Sequence, residues 1–203
     1  MKRITFLLRA LPGMTMSAEQ NLLREADALK ALFAGHGVKN FSMWGVSDLF
    51  FGYGEEGEDF DLMGEAGGYF TGLEALCLPG EMRLMYHDIG VVREDKSLIR
   101  HRVFATKLKP GCAEEYKRRH DGLIAARGDT ISEGPDSDFT IWYGAGYIFG
   151  YCEKVKSFDH EMTEAEREST IAWETKQLEI MDWLTDDVDW MTGEKHEAIR
   201  RII

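Results

Sequence analysis

The chain repeats itself at a fixed offset of 98 residues, and this repeat restricts its possible folds more than any other feature. The segment 41–55 reads FSMWGVSDLFFGYGE, and the segment 139–153 reads FTIWYGAGYIFGYCE. Six of the fifteen aligned positions are identical, where chance gives about one. The similarity predicts that the chain arose by tandem duplication of one small unit.

The same offset extends beyond this segment, because it pairs Phe6 with Phe104 without a gap. A chain of 203 residues has room for two domains of about 100 residues each. We therefore predict a first repeat at 1–95, a second repeat at 96–193 and a C-terminal tail at 194–203.

Each repeat has the pattern strand, helix, strand, strand, helix, strand. In the first repeat, helices are expected at 17–33, with Ser17 as the N-cap, and at 66–84, where glycines weaken the pattern. In the second repeat, they are expected at 113–126 and 162–184. The last strand of each repeat is expected near 85–93 and 188–191.

This order of elements is that of the ferredoxin-like unit, in which two helices cover one face of an antiparallel sheet. The strands near 41–45 and 141–143 carry apolar or aromatic residues on both faces, so the second face also needs a cover. The predicted fold class is therefore α+β. Two tandem ferredoxin-like repeats would pack sheet to sheet as an intramolecular dimeric α+β barrel.

Composition narrows the possible partners. The formal net charge is −12, which argues against nucleic acid and against an anionic membrane surface. No apolar stretch approaches the length of a membrane span.

Three cysteines without a paired spacing are typical of reduced cytosolic thiols, so a cytoplasmic protein is expected. The six histidines show no metal-ligand spacing.

Tyr116 and His120 are the strongest candidates for chemistry. They lie four residues apart, on one face of the helix expected at 113–126. At the 98-residue offset, the first repeat has only Ala18 and Leu22. A single histidine on a helix is commonly a surface or core residue, but here a phenol and an imidazole share a face. The pattern favours an acid–base site in the second repeat, with a degenerate first repeat.

The segment 110–120, PGCAEEYKRRH, followed by Phe139-Thr-Ile-Trp142, resembles the L-rhamnose mutarotases. The resemblance implies a dimeric α+β barrel protein about as long as one repeat here. It implies that His120 is the general acid and that Tyr116 contacts the sugar. Phe139 stands where the family has a tyrosine. Glu174 and Thr175 stand where it has a pair of tryptophans.

Mutarotation is the reaction that this resemblance predicts, on a deoxyhexose such as L-rhamnose. Opening the ring moves one proton to the ring oxygen and one from the anomeric hydroxyl, which a histidine can do without metal or cofactor. The residues expected to bind the sugar are Tyr116, Phe139, Trp142, Trp173 and Glu174, although the aromatic ones also fit a plain core.

Other functions stay open at this point. The same scaffold could serve another cofactor-independent enzyme, such as an isomerase, a lyase or a monooxygenase, because a fold does not determine a reaction. It could also be a non-catalytic module that binds a small metabolite. The expected partner is a small-molecule sugar, and the chain is expected to be a monomeric pseudo-dimer or a homodimer.

Overall fold

The computed structural model describes residues 2–131, 134, 136–156, 163–184 and 199–203. The chain divides into two compact units. The first unit comprises Met1–Arg83 together with Ala198–Ile203, and the second comprises Leu84–Glu197. Within the described residues, no helix is long and apolar enough to cross a membrane.

The first unit holds one antiparallel sheet with the strand order β10-β2-β3-β1-β4. Its helices and strands are β1 (Arg3–Ala10), α1 (Thr15–Arg24), α2 (Ala26–Gly35), β2 (Val38–Val46), β3 (Leu49–Glu56), α3 (Leu62–Ala66), β4 (Leu73–Cys77) and β10 (Arg200–Arg201).

The second unit holds a sheet with the strand order β5-β7-β8-β6-β9. Its helices and strands are β5 (Arg83–Gly90), β6 (Ile99–Leu108), α4 (Ala113–Arg127), β7 (Asp136–Gly144), β8 (Tyr147–Val155), α5 (Glu164–Gln177) and β9 (Met181–Trp183). Short 3₁₀ turns lie at Gly67–Tyr69 and Lys96–Leu98.

Both units are therefore α+β, as the sequence predicts. In each, four strands follow the order expected of a ferredoxin-like unit, with every described pair antiparallel. The fifth strand comes from another part of the sequence, since β10 pairs with β2 and β5 neighbours β7. The boundary between the two sequence repeats, predicted after residue 95, stays a prediction. The strand β5 lies before this boundary in the sequence but belongs to the second sheet.

The hairpins β2–β3 and β7–β8 share their backbone details. Both turns begin with a residue at φ 51°, Ser47 in one and Ala145 in the other. In both sheets a phenylalanine faces a glycine of the neighbouring strand, and an added Cβ at Gly150 would lie 1.7 Å from the Phe104 ring. An aromatic ring thus covers the glycine across the strand pair, which fixes the register.

The helix predicted at 17–33 differs in two respects. It begins at Thr15 with Met14 as the N-cap residue, and it is interrupted at Glu25 between α1 and α2. Ser17 as N-cap is therefore wrong. Its hydroxyl instead donates to the carbonyl oxygen of Met14 at 3.0 Å, because serine inside a first turn can bond back to the backbone.

The helix predicted at 66–84 is wrong. That segment continues from α3 into a 3₁₀ turn and then into β4. Gly72 has a φ of 80°, a conformation that ends a helix and favours glycine. In the second repeat, the helix expected at 162–184 ends earlier, at Gln177, and the chain enters β9. The strand expected at 188–191 lies outside the described residues.

Candidate active site

The helix α4 confirms the prediction for 113–126 and presents the two candidate residues to the core. Two glutamates in its first turn favour the helix start through their charge. Tyr116 and His120 are the buried residues of this helix, at 2% and 5% exposure. Their spacing of four residues puts both side chains on the face that packs against the sheet.

The backbone of α4 fixes the orientation of the His120 imidazole. Its Nδ1 lies 2.9 Å from the carbonyl oxygen of Tyr116. Because a carbonyl oxygen can only accept, Nδ1 carries the hydrogen and donates it. In the neutral ring, Nε2 is then the nitrogen that can take a proton from a ligand, or return one once protonated.

Three aromatic rings surround His120. The Tyr116 ring stacks on it with centroids 4.2 Å apart. Tyr86 and Trp173 meet it edge to face, at 5.5 Å and 5.4 Å. This apolar surrounding removes water from the imidazole, and burial therefore lowers the pKa of His120 below its ordinary value. The ring is neutral at pH 7, so it is available as a base.

Tyr86 is a member of this cluster that the sequence analysis missed. It lies on β5, outside the sequence predicted for the second repeat. Its ring also meets Phe139 at 5.5 Å, and its hydroxyl donates to Asp88 Oδ2 at 3.5 Å. Burial raises the pKa of Tyr86, with a further contribution from the charge of Asp88. The phenol therefore stays protonated and can donate a hydrogen bond.

Glu174 is a carboxyl group of α5 that titrates near neutrality. It follows Trp173 on α5, and both side chains are partly exposed, so solvent reaches this side of the cluster. Burial raises the pKa of Glu174 to about 7, against the opposing effect of the nearby charge of Arg102. Burial, and then the charge of Glu174, raise the pKa of Tyr116. Glu174 and Tyr116 thus share one electrostatic environment.

Two basic side chains hold the end of α5 in place. Arg119 of α4, whose side chain is only 7% exposed, donates to the carbonyl oxygen of Lys176 and forms an ion pair with Glu179 at 2.8 Å. Lys109 donates to the carbonyl oxygen of Leu178 at 2.7 Å. These contacts connect α5 to α4 and to the end of β6, and they set the position from which Trp173 approaches His120.

The remaining predicted residues fall on different faces of the sheet. Phe139 lies in the same buried cluster as Tyr116, with its ring 6.0 Å from Phe104. Trp142 is three residues further along β7, and side chains alternate between the faces of a strand. Its Nε1 donates to Thr140 at 3.0 Å on the opposite face. The structure therefore brings Phe139, but not Trp142, to the cluster around His120.

The first unit has only apolar packing at the equivalent positions. Ala18 and Leu22 stand 98 residues before Tyr116 and His120, and both are buried in its hydrophobic core. Phe33 stacks on Phe41 with centroids 3.8 Å apart. This part of the first unit provides no group that could transfer a proton.

A cavity of about 340 Å³ lies in the first unit, and none of the candidate residues lines it. It is lined by the start of β1 and by the loops around Glu58–Leu62 and Leu78–Gly80, without histidine or cysteine. Lys2 at its edge already pairs with Asp59 at 2.6 Å. The described residues also contain no cluster of three or more metal-binding side chains. The cluster around His120 remains the candidate active site.

The part of the chain that carries α4 and α5 matches a known protein family. A family model described as L-rhamnose mutarotase matches residues 101–202. The chain belongs to the L-rhamnose mutarotase family. The match confirms the family resemblance based on 110–120 and 139–142, and it includes Tyr116, His120 and Glu174. It begins after β5, so Tyr86 lies outside it. No curated protein and no solved structure matches the chain.

Proposed function

We propose that the chain is a sugar mutarotase with its active site in the second unit, acting on a deoxyhexose such as L-rhamnose. One observation supports this most directly. The oriented, neutral imidazole of His120 stands among aromatic rings, and Glu174, which follows one of these aromatic residues on α5 and acts electrostatically on Tyr116, has a carboxyl group that titrates near pH 7. Aromatic rings provide stacking surface for the less polar faces of a sugar.

In the proposed reaction, His120 Nε2 accepts the proton of the anomeric hydroxyl. The Glu174 carboxylic acid donates its proton to the ring oxygen, the C1–O5 bond breaks, and C1 and O1 form the aldehyde carbonyl. The positive charge of Arg102 stabilises the carboxylate that forms. Tyr116 and Tyr86, whose phenols stay protonated, orient the sugar hydroxyls.

Rotation about the C1–C2 bond turns the other face of the aldehyde toward O5. When O5 attacks C1, the Glu174 carboxylate takes the O5 proton, and protonated His120 returns a proton to O1. Both groups are then restored, and only the anomeric configuration has changed. Spontaneous ring opening is already fast on a laboratory time scale, so an acid–base contribution of about 10²–10⁴ is sufficient.

The test is anomer exchange measured by saturation-transfer NMR on L-rhamnose, L-fucose and a panel of common aldoses. We expect the wild type to accelerate exchange and His120→Gln to abolish the acceleration. His101→Gln is the matched control, since His101 lies on β6 against Tyr151, on the other sheet face. No acceleration by a folded wild type would refute the proposal and leave a binding module, or another reaction on this scaffold.

Two further predictions from the sequence remain predictions. One is the tandem duplication, with the repeats packed sheet to sheet as an intramolecular dimeric α+β barrel. The other is that the protein is cytoplasmic and is either a monomeric pseudo-dimer or a homodimer. Neither is needed for the proposed reaction.

A further inference from the structure

Gln177 is a buried polar residue that the packing of the second unit does not explain. It is the last residue of α5, only 2% of its surface is exposed, and neither its amide nitrogen nor its oxygen has a hydrogen-bond partner among the described residues. Buried polar groups are nearly always hydrogen-bonded. Leaving one unpaired costs roughly as much as the hydrogen bond it forgoes.

The position of Gln177 relates it to the candidate active site. It lies four residues after Trp173 and three after Glu174, so helical spacing puts it one turn further along the same side of α5. Its backbone carbonyl accepts from Ile180, a member of the buried cluster that contains Tyr116. Gln177 therefore lies beside the buried cluster that contains Tyr116.

Thr106 provides a second unpaired polar atom in the same unit. It is fully buried, and its hydroxyl has no described partner. It lies on β6 between Phe104 and Leu108, which both belong to the buried cluster with Tyr116. Side chains two residues apart lie on one face of a strand, so Thr106 faces the side of the sheet that carries α4 and α5.

We propose that Gln177 and Thr106 form the hydroxyl-recognition end of the active site and determine which sugars it accepts. A primary amide offers one acceptor and one donor side by side, and each sugar hydroxyl is both donor and acceptor. Gln177 can therefore bind two adjacent hydroxyls, with Thr106 binding a further oxygen. The substrate class is then a sugar with a vicinal diol remote from the anomeric carbon. This inference rests on the proposed function.

A buried polar group without a hydrogen-bond partner does not stabilise the free protein, so its removal should not lower the stability. Gln177→Leu and Thr106→Val remove the polar atoms with little change in shape. The matched control is Thr140→Val, since Thr140 is equally buried on β7 but accepts a hydrogen bond from Trp142. We expect the thermal midpoint to stay or rise in the first two variants and to fall in the control.

Kinetics with L-rhamnose as the probe sugar separate binding from structure. Each of Gln177→Leu and Thr106→Val should raise KM for anomer exchange roughly tenfold, the equivalent of one lost hydrogen bond, with kcat unchanged. An unchanged KM overturns the inference whatever the midpoint does. A midpoint that falls as far as that of Thr140→Val also overturns it, because the atoms would then have partners in the free protein.

The two proposals can fail separately. If the wild type exchanges L-rhamnose and KM is unchanged in both variants, only the hydroxyl-recognition end is refuted. If the wild type does not exchange L-rhamnose, mutarotation of this sugar is refuted, and its dissociation constant from ligand-observed NMR replaces KM. Absence of binding by the wild type would then refute the recognition end as well.

Discussion

Replacing Glu174 by glutamine tests which group gives and which takes the first proton. Burial raises the pKa of Glu174 to about 7, so near pH 7 about half of the molecules carry the neutral carboxylic acid. Burial lowers the pKa of His120 below its usual value, so the imidazole is neutral there. About half of the molecules near pH 7 thus combine a base at His120 with an acid at Glu174.

The wild type should therefore show a bell-shaped dependence of kcat/KM on pH. The acidic limb follows protonation of His120 below pH 6.5, and the basic limb follows ionisation of Glu174 near pH 7. Tyr116, on which the charge of Glu174 acts, stays neutral because burial raises its pKa, and an arginine such as Arg102 does not lose its proton in proteins. Neither titrates in this range, so two limbs are expected.

Glu174→Gln retains the shape of the side chain but cannot donate a proton. We expect kcat/KM to fall by about 10²–10⁴ at pH 7, the usual contribution of one acid–base group. The basic limb should disappear. The residual activity should rise with pH as His120 loses its proton and then stay level, because only the neutral imidazole is the active form.

Saturation-transfer NMR between about pH 5 and pH 9 measures these profiles. Glu168→Gln is the control, since Glu168 is exposed on the same helix. If the residual activity of Glu174→Gln falls as pH rises, protonated His120 is the acid of the first step and the assignment is reversed. If the variant keeps the wild-type rate and its basic limb, Glu174 takes no part in proton transfer.

Three substitutions test the packing of the second unit by chemical denaturation. Gly150→Ala places a methyl group against the Phe104 ring and should lower the free energy of unfolding by about 1–3 kcal/mol. Gly122 is an exposed residue of α4, and an added Cβ there would have no neighbour within 4 Å. Gly122→Ala should therefore raise the free energy of unfolding by roughly 0.5–1 kcal/mol. Lys96→Met removes the 2.7 Å ion pair with fully buried Glu153 and should cost about 3 kcal/mol, the low end for a buried pair, because Lys96 is partly exposed. The opposite sign in any of the three would contradict the packing described for that residue.

Local sequence patterns predicted the parts of the fold that local physics determines. The hairpins follow from tight turns at Ser47 and Ala145, and α4 follows from its helical spacing. That spacing also identifies Tyr116 and His120 as one pair, because residues four apart share a helix face. Glycines break the helical pattern at Gly67, Gly68 and Gly72, and the helix predicted for that segment was wrong. The strand β4, which follows Gly72, is stabilised instead by its pairing with β1.

The other members of the site depend on contacts between distant parts of the sequence. Tyr86 reaches His120 only because β5 joins the edge of the second sheet. No periodicity around residue 86 indicates that neighbour. Gln177 is polar on a helix whose other residues are mostly exposed, so its pattern gives no sign of burial. Such residues are recognised only when the hydrogen-bond partners of each buried polar atom are accounted for.

The sequence repeat and the candidate active site therefore follow different boundaries. The family match begins at residue 101, and the predicted second repeat begins at residue 96, yet the strand that carries Tyr86 ends at Gly90. A division of the chain at either position separates Tyr86 from the imidazole whose pKa its ring helps to lower by excluding water. At the 98-residue offset, the sequence before residue 96 has Ala18 and Leu22 in place of Tyr116 and His120, but it carries Tyr86, whose ring contacts that of His120. The residues before position 96 thus contribute to the surroundings of His120, although the counterpart of this histidine at the 98-residue offset is a leucine.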